Sequence, residues 1–172
     1  MSFTIRKSGV PIVESRSKLS SFKLQGANSS TSFVLIHTES QAQPQASFRR
    51  RMFCCFARLH EKYNLPVYSL AIFSFDKPKR EQSCRYDIYA PTLHVLTFRY
   101  KVIQLNRLNW RQYMQSENAV AAALMAKMAI APNERADLKL ECLRMIATLK
   151  LDRAKSKLIV GFVDSYLRVT GG

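Results

Sequence analysis

The segment Val34-Leu35-Ile36-His37-Thr38-Glu39-Ser40-Gln41 runs from apolar residues into a histidine, a carboxylate and an amide at alternate positions. Strand alternation puts His37, Glu39 and Gln41 on one face. A carboxylate at the exit of a buried strand can bind Mg²⁺. An amide two residues further on can orient the water that attacks a phosphodiester. Glu39 is therefore a candidate catalytic and metal-binding residue, Gln41 its catalytic partner, and Mg²⁺ or Mn²⁺ the ion. The plainer reading of the same residues is that Glu39 and Gln41 mark the strand's exit into solvent. His37 reads as a hydrogen-bonded core or rim residue rather than as a base.

Arg49, Arg50 and Arg51 follow shortly after. Three cations in a first helical turn oppose the helix macrodipole, and a bound anion would relieve that opposition. All three are candidate nucleic-acid ligands. The competing readings are that salt screens exposed arginines, and that Glu39 pairs with Arg51. The helical period sets the three about 100° apart, so only one or two can face the Glu39 strand end. Trp110 and Tyr113, near Arg107 and Arg111, either stack bases or pack half-buried in the fold.

These residues sit in a chain of 172 residues with 27 basic and 12 acidic side chains, a formal charge of +15. Such an excess is self-repelling unless a polyanion is nearby, and nucleic acid, DNA above all, is the expected partner. The charge is spread along the chain rather than held in a tail. An apolar fraction of 47% argues for a folded chain, and the length for one domain with a proper core. No apolar run approaches the roughly 20 residues that span a bilayer, and the first residues lack a secretory signal's apolar stretch. The expectation is a cytoplasmic protein with no membrane partner. Cys54, Cys55, Cys84 and Cys142 read as reduced thiols. His37, His60 and His94 are scattered, and the absence of finger-type ligand spacing argues against a zinc site.

The elements that must hold Glu39 are legible. Residues 18–24, a run of turn formers at 25–30 and the apolar segment 33–36 predict a hairpin. Ser47 is placed to cap a helix whose apolar positions Phe48, Met52, Cys55, Phe56, Leu59 and Tyr63 recur every three or four residues, and Asn64 with Pro66 stops it. Residues 67–75 predict a strand covered on both faces, completing a parallel βαβ crossover. Short strands follow near 86–89, 94–100 and 102–105. The last third reads as helical, with Leu138, Cys142, Met145 and Leu149 as one apolar stripe and Ile159, Phe162, Val163 and Tyr166 as another.

Together, VLIHTESQ, RRRMFCCFARLHEKYNLPVYSLAIFSFD, FRYKVIQLNRLNW, VAAALMAKMAIAP, LKLECLRMIATLKLD and LIVGFVDSYLR resemble the Rpn family of recombination-promoting nucleases, also called YhgA-like putative transposases. The resemblance covers about residues 17–170. It implies a PD-(D/E)XK nuclease-like α/β fold, with a mixed central sheet, flanking helices and a C-terminal helical part. It also implies metal-dependent DNA endonuclease activity near recombination or mobile DNA. On this reading residues 1–16 are a loose arm, 17–115 the nuclease-like core and 116–172 the helical part of the same domain. By position the family's E-x-Q falls on Glu39 and Gln41, its helix start falls on Phe48, Arg51, Met52 and Phe53, and Arg51 is the arginine that faces the site. Two departures stand out. The family's metal-binding Asp falls near Arg16, Ser17 or Lys18, and the only acid upstream of Glu39 is Glu14, a metal ligand only after a shift of register. Cys55 stands where the family pattern R-M-F-x-Y has tyrosine. The chain therefore reads as an N-terminally shortened or degenerate relative. It is either an endonuclease or an inactive DNA-binding or partner-binding remnant of that fold.

Overall fold

The computed structural model describes residues 4–8, 13–14, 17–25, 31–149 and 151–167. Among the described residues it is a mixed α/β structure with one larger sheet, a small hairpin and four α-helices. The chain divides into two compact units, Met1–Phe73 with Glu81–Ile103, and Ser74–Arg80 with Gln104–Gly172. The first unit thus ends at Ile103, and the loop 74–80 belongs to the second unit. Two buried amides explain why. Gln104 Nε2 donates to the carbonyls of Pro78 and Arg80, at 3.3 and 3.1 Å. Asn106 Nδ2 donates to those of Asp76 and Pro78, at 3.1 and 3.2 Å. A buried amide must be hydrogen-bonded, so these two side chains tie down the loop.

In the first unit, β1 (Thr4–Ser8) and β2 (Val13–Glu14) both lie antiparallel to β3 (Ser17–Gln25). The loose arm expected over residues 1–16 thus contains two strands, which occupy the outer edge of β3 and take up hydrogen-bonding groups that an open edge would leave unpaired. β3 pairs antiparallel with β4 (Thr31–Gln41), the expected hairpin, with Ser17 opposite Glu39. Helix α1 (Phe48–Tyr63) carries the chain over to β5 (Val67–Phe73), which runs parallel to β4 with Glu39 opposite Ala71. The βαβ crossover is as expected. The hairpin β6 (Arg85–Ala90) and β7 (Leu93–Arg99) follows, and β8 (Lys101–Gln104) extends the sheet beyond β5.

Two local expectations are corrected. β5 alternates, with Ser69, Ala71 and Phe73 buried and Tyr68 half exposed, so it is not covered throughout. Ser47 makes no capping hydrogen bond. Its backbone is helical (φ −76°, ψ −6°), whereas a cap needs extended backbone to turn its hydroxyl onto the first-turn amides. The stop is as read: Asn64 takes the left-handed conformation (φ 48°) and its N–H bonds to His60 O. The buried side of α1 is Phe48 and Met52.

The second unit contains α2 (Ala119–Met125), α3 (Arg135–Thr148) and α4 (Arg153–Tyr166). Asn118 and Asp152 cap α2 and α4 by accepting from Val120 N and Lys155 N. Leu138, Cys142, Met145, Ile146 and Val163 are buried and Leu149, Ile159 and Phe162 are half-buried, whereas Tyr166, expected to face inward, is exposed at 42%. Among the described residues no helix is long and apolar enough to cross a membrane.

Candidate functional site

β4 delivers its side chains to the site two residues at a time. Leu35, His37, Glu39 and Gln41 are all buried, so the strand passes from apolar to polar without changing face. Their partners on β5 are Val67, Ser69, Ala71 and Phe73. Directly opposite residues share a face, and the small Ala71 beside Glu39 leaves room for what α1 brings.

What α1 brings is Arg51. Its Nε lies 2.9 Å from Glu39 Oε2, one terminal nitrogen donates to Gln41 Oε1 at 2.9 Å and the other to Gln45 Oε1 at 2.9 Å. Gln41 Nε2 donates to Gln43 O. The planar guanidinium thus joins the strand exit, the following loop and the first helical turn. On the other side of the carboxylate, His37 Nε2 stands 3.5 Å from Glu39 Oε1. This is the outer limit of a hydrogen bond, and neither His37 ring nitrogen has a well-formed partner. The Cys55 thiol, one turn beyond Arg51 on the same helical face, completes the group. The ligating atoms of His37, Glu39 and Cys55 all lie within 4.8 Å of one another.

Glu39 is 1% exposed, and its protonation follows from these neighbours. Burial alone would raise its pKa. The His37 ring, the Arg51 guanidinium and the Cys55 thiol together outweigh burial and bring the pKa from 4.5 down to about 2. Glu39 is an ionised carboxylate at every ordinary pH.

The sequence-derived candidates divide accordingly. Glu39, Gln41 and Arg51 come together. Arg49 and Arg50 are exposed and form no ion pair among the described residues. Glu14, on β2, is the register partner of Ser17 on β3, itself the partner of Glu39, so the two acids occupy the same register row two strand spacings apart, about 9–10 Å between backbones. Trp110 is buried, 3% exposed, with Nε1 on Glu134 at 3.3 Å and the Arg111 guanidinium 4.5 Å above its ring. It is a packing residue of the second unit and no platform for bases. His37 is buried as expected, but without the hydrogen bonds expected of it. Gln45 and Cys55 are participants that the motif does not name. Their signal was positional: Cys55 lies four residues after Arg51, and Gln45 lies in the short connection between strand and helix.

The donor set does not match what Mg²⁺ takes. Mg²⁺ prefers an octahedron of oxygens from carboxylates, phosphates and water. Here one carboxylate is bonded to a guanidinium, the position opposite it is a serine, and the adjacent groups are an imidazole and a thiol. Compared with family models, curated proteins and solved structures, the chain finds a match in none of them.

Proposed function

We propose that this protein binds duplex DNA without strong sequence preference and does not cleave it, as a remnant of a PD-(D/E)XK nuclease in which the catalytic carboxylate has become structural. The observation that carries this reading is the Arg51–Glu39 pair. A carboxylate engaged by a guanidinium at 2.9 Å, with Ser17 opposite, has neither the free charge nor the acidic partner that a Mg²⁺ site uses. The hairpin, the parallel crossover and an E-x-Q at the strand exit are in keeping with such descent.

The binding half of the proposal rests on charge. Of the net +15, the first unit contributes +8 and the second +7, so neither accounts for the excess alone. Arg49 and Arg50 project from a first turn of α1 that has no acid. In the second unit Lys77, Lys79, Lys127 and Arg135 line one depression around a single carboxylate, Asp76. Neutralising phosphates with such groups releases counterions, which drives binding and makes it salt-dependent. The test is a titration of fluorescent duplex DNA at several salt concentrations beside a plasmid-nicking assay with Mg²⁺ and Mn²⁺. Expected are binding that weakens steeply with salt and no nicking. A salt-independent affinity, or none at low salt, refutes the proposal.

The endonuclease reading retains one specific support, the register row that sets Glu14 two strands from Glu39. Metal-dependent nicking by the unmodified chain that is lost in both Glu14→Gln and Glu39→Gln would establish it in place of the first.

A further inference from the structure

We infer that His37, Glu39 and Cys55 form a binding site for one zinc-class divalent ion. The sequence argues against zinc, because no two ligands have finger spacing. The fold removes that objection by assembling the three from β4 and α1.

Three observations carry the inference. The first is the donor set: imidazole, carboxylate and thiolate are ligands of Zn²⁺ and Co²⁺, and the pair of nitrogen and sulfur donors selects against Mg²⁺ and Ca²⁺. The second is an unexplained group. His37 is 1% exposed, its Nδ1 is buried without a hydrogen-bond partner, and its Nε2 has only Glu39 Oε1, at 3.5 Å and without well-formed hydrogen-bond geometry. Buried nitrogens left poorly bonded are uncommon, and a metal bond gives Nε2 the partner that the protein supplies only at long range. The third is spacing. Tetrahedral zinc with ordinary bond lengths sets its nitrogen and oxygen donors about 3.3 Å apart and its nitrogen and sulfur donors about 3.6 Å apart. The observed 3.5 Å from Nε2 to Oε1 is long for a hydrogen bond and close to a ligand–ligand distance.

Arg51 does not compete for this position. It holds Oε2, on the far side of the carboxylate from His37, and so orients Oε1 toward the imidazole, as outer-shell partners of metal ligands do. Binding removes the proton of Cys55, leaving a site of one thiolate, one carboxylate and one neutral imidazole. Ser69, the β5 partner of His37, has a buried hydroxyl that is also unbonded, and is the neighbouring group available to a water in the fourth position. Such a site fastens the middle of α1 to β4.

The experiment is a titration of the purified, reduced, metal-stripped full chain with Co²⁺, followed by competition with Zn²⁺ and with Mg²⁺. Expected is one cobalt per chain, with thiolate-to-cobalt charge-transfer absorption in the near ultraviolet that Zn²⁺ abolishes and excess Mg²⁺ leaves intact. Cys55→Ala and Cys55→Ser should lose that band and bind at least tenfold more weakly. Cys54→Ala should keep both. Cys55 is only partly buried, so its variants should fold, as circular dichroism would verify. His37→Asn should weaken cobalt binding at least tenfold while leaving Cys55 in place. No charge-transfer band in the unmodified chain, or one that survives Cys55→Ala, overturns the inference.

Discussion

Arg51, in the first turn of α1, places its Nε 2.9 Å from Oε2 of Glu39, twelve residues earlier at the end of β4, and Glu39 is almost wholly buried. An ionised carboxylate is tolerated in such a place only when paired, and one guanidinium here meets the charge while bonding to Gln41 and Gln45 as well.

Removing Arg51 should therefore cost more than an exposed ion pair is worth. Arg51→Ala is expected to destabilise the first unit by about 3–5 kcal/mol, because it strands a buried charge. Adding Glu39→Gln to Arg51→Ala should recover part of that loss, since the charge is then gone. Urea unfolding of the two single variants and the double variant measures both; additive losses would mean that the pair is not coupled.

The same pair sets an acid limb of stability. The folded pKa of Glu39, about 2, lies below the ordinary 4.5, so the unfolded chain binds a proton that the folded chain refuses. Stability from this group is complete above about pH 4.5 and is lost as pH falls through 2, with a total of ~3 kcal/mol. Glu39→Gln should flatten this part of the curve of stability against pH. An unchanged acid limb in Glu39→Gln would assign the loss to other carboxylates.

The three arginines should separate in DNA binding. Arg49→Ala with Arg50→Ala is expected to lower the slope of log affinity against log salt by about 2, one contact for each residue. Arg51→Ala should leave the slope unchanged under conditions where the variant remains folded, because its guanidinium already faces Glu39 and the two glutamines. A slope that falls in Arg51→Ala and not in the double variant would place the DNA on the other side of α1.

If the proposed nuclease descent holds, Ser17 is the position at which the second acid of a metal site belongs. It is the register partner of Glu39, and Ser17→Asp sets two carboxylates on adjacent strands. Mg²⁺ binding by isothermal titration should rise at least tenfold and slow plasmid nicking should appear, both removed by Glu39→Gln. If Ser17→Asp binds Mg²⁺ no better than the unmodified chain, the proposed descent from a two-carboxylate metal site loses its support.

Much of this is written locally in the chain. The alternation from Leu35 to Gln41 puts His37, Glu39 and Gln41 on one face because strand side chains repeat every two residues, whatever the sheet later packs against. The helix from Phe48 to Tyr63 and its stop at Asn64 follow from apolar spacing and from a residue that tolerates the left-handed conformation. The net charge, and with it the expectation of a polyanionic partner, is a sum over residues and needs no fold.

Other features depended on how distant segments meet. Three adjacent arginines are equivalent in the sequence apart from helical phase, and the crossing of α1 over β4 selects Arg51 to turn inward and leaves Arg49 and Arg50 exposed. Trp110 resembles a stacking residue beside Arg111 until the second unit closes over it and Glu134 accepts from its indole. The boundary at 103/104 follows from hydrogen bonds made by Gln104 and Asn106 to a loop more than twenty residues earlier. Cys55 and His37 are 18 positions apart, a spacing with no meaning along the chain. Only the helix lying on the strand brings sulfur, imidazole and carboxylate within 4.8 Å, because ligand geometry is a property of positions in space and not of intervals in sequence.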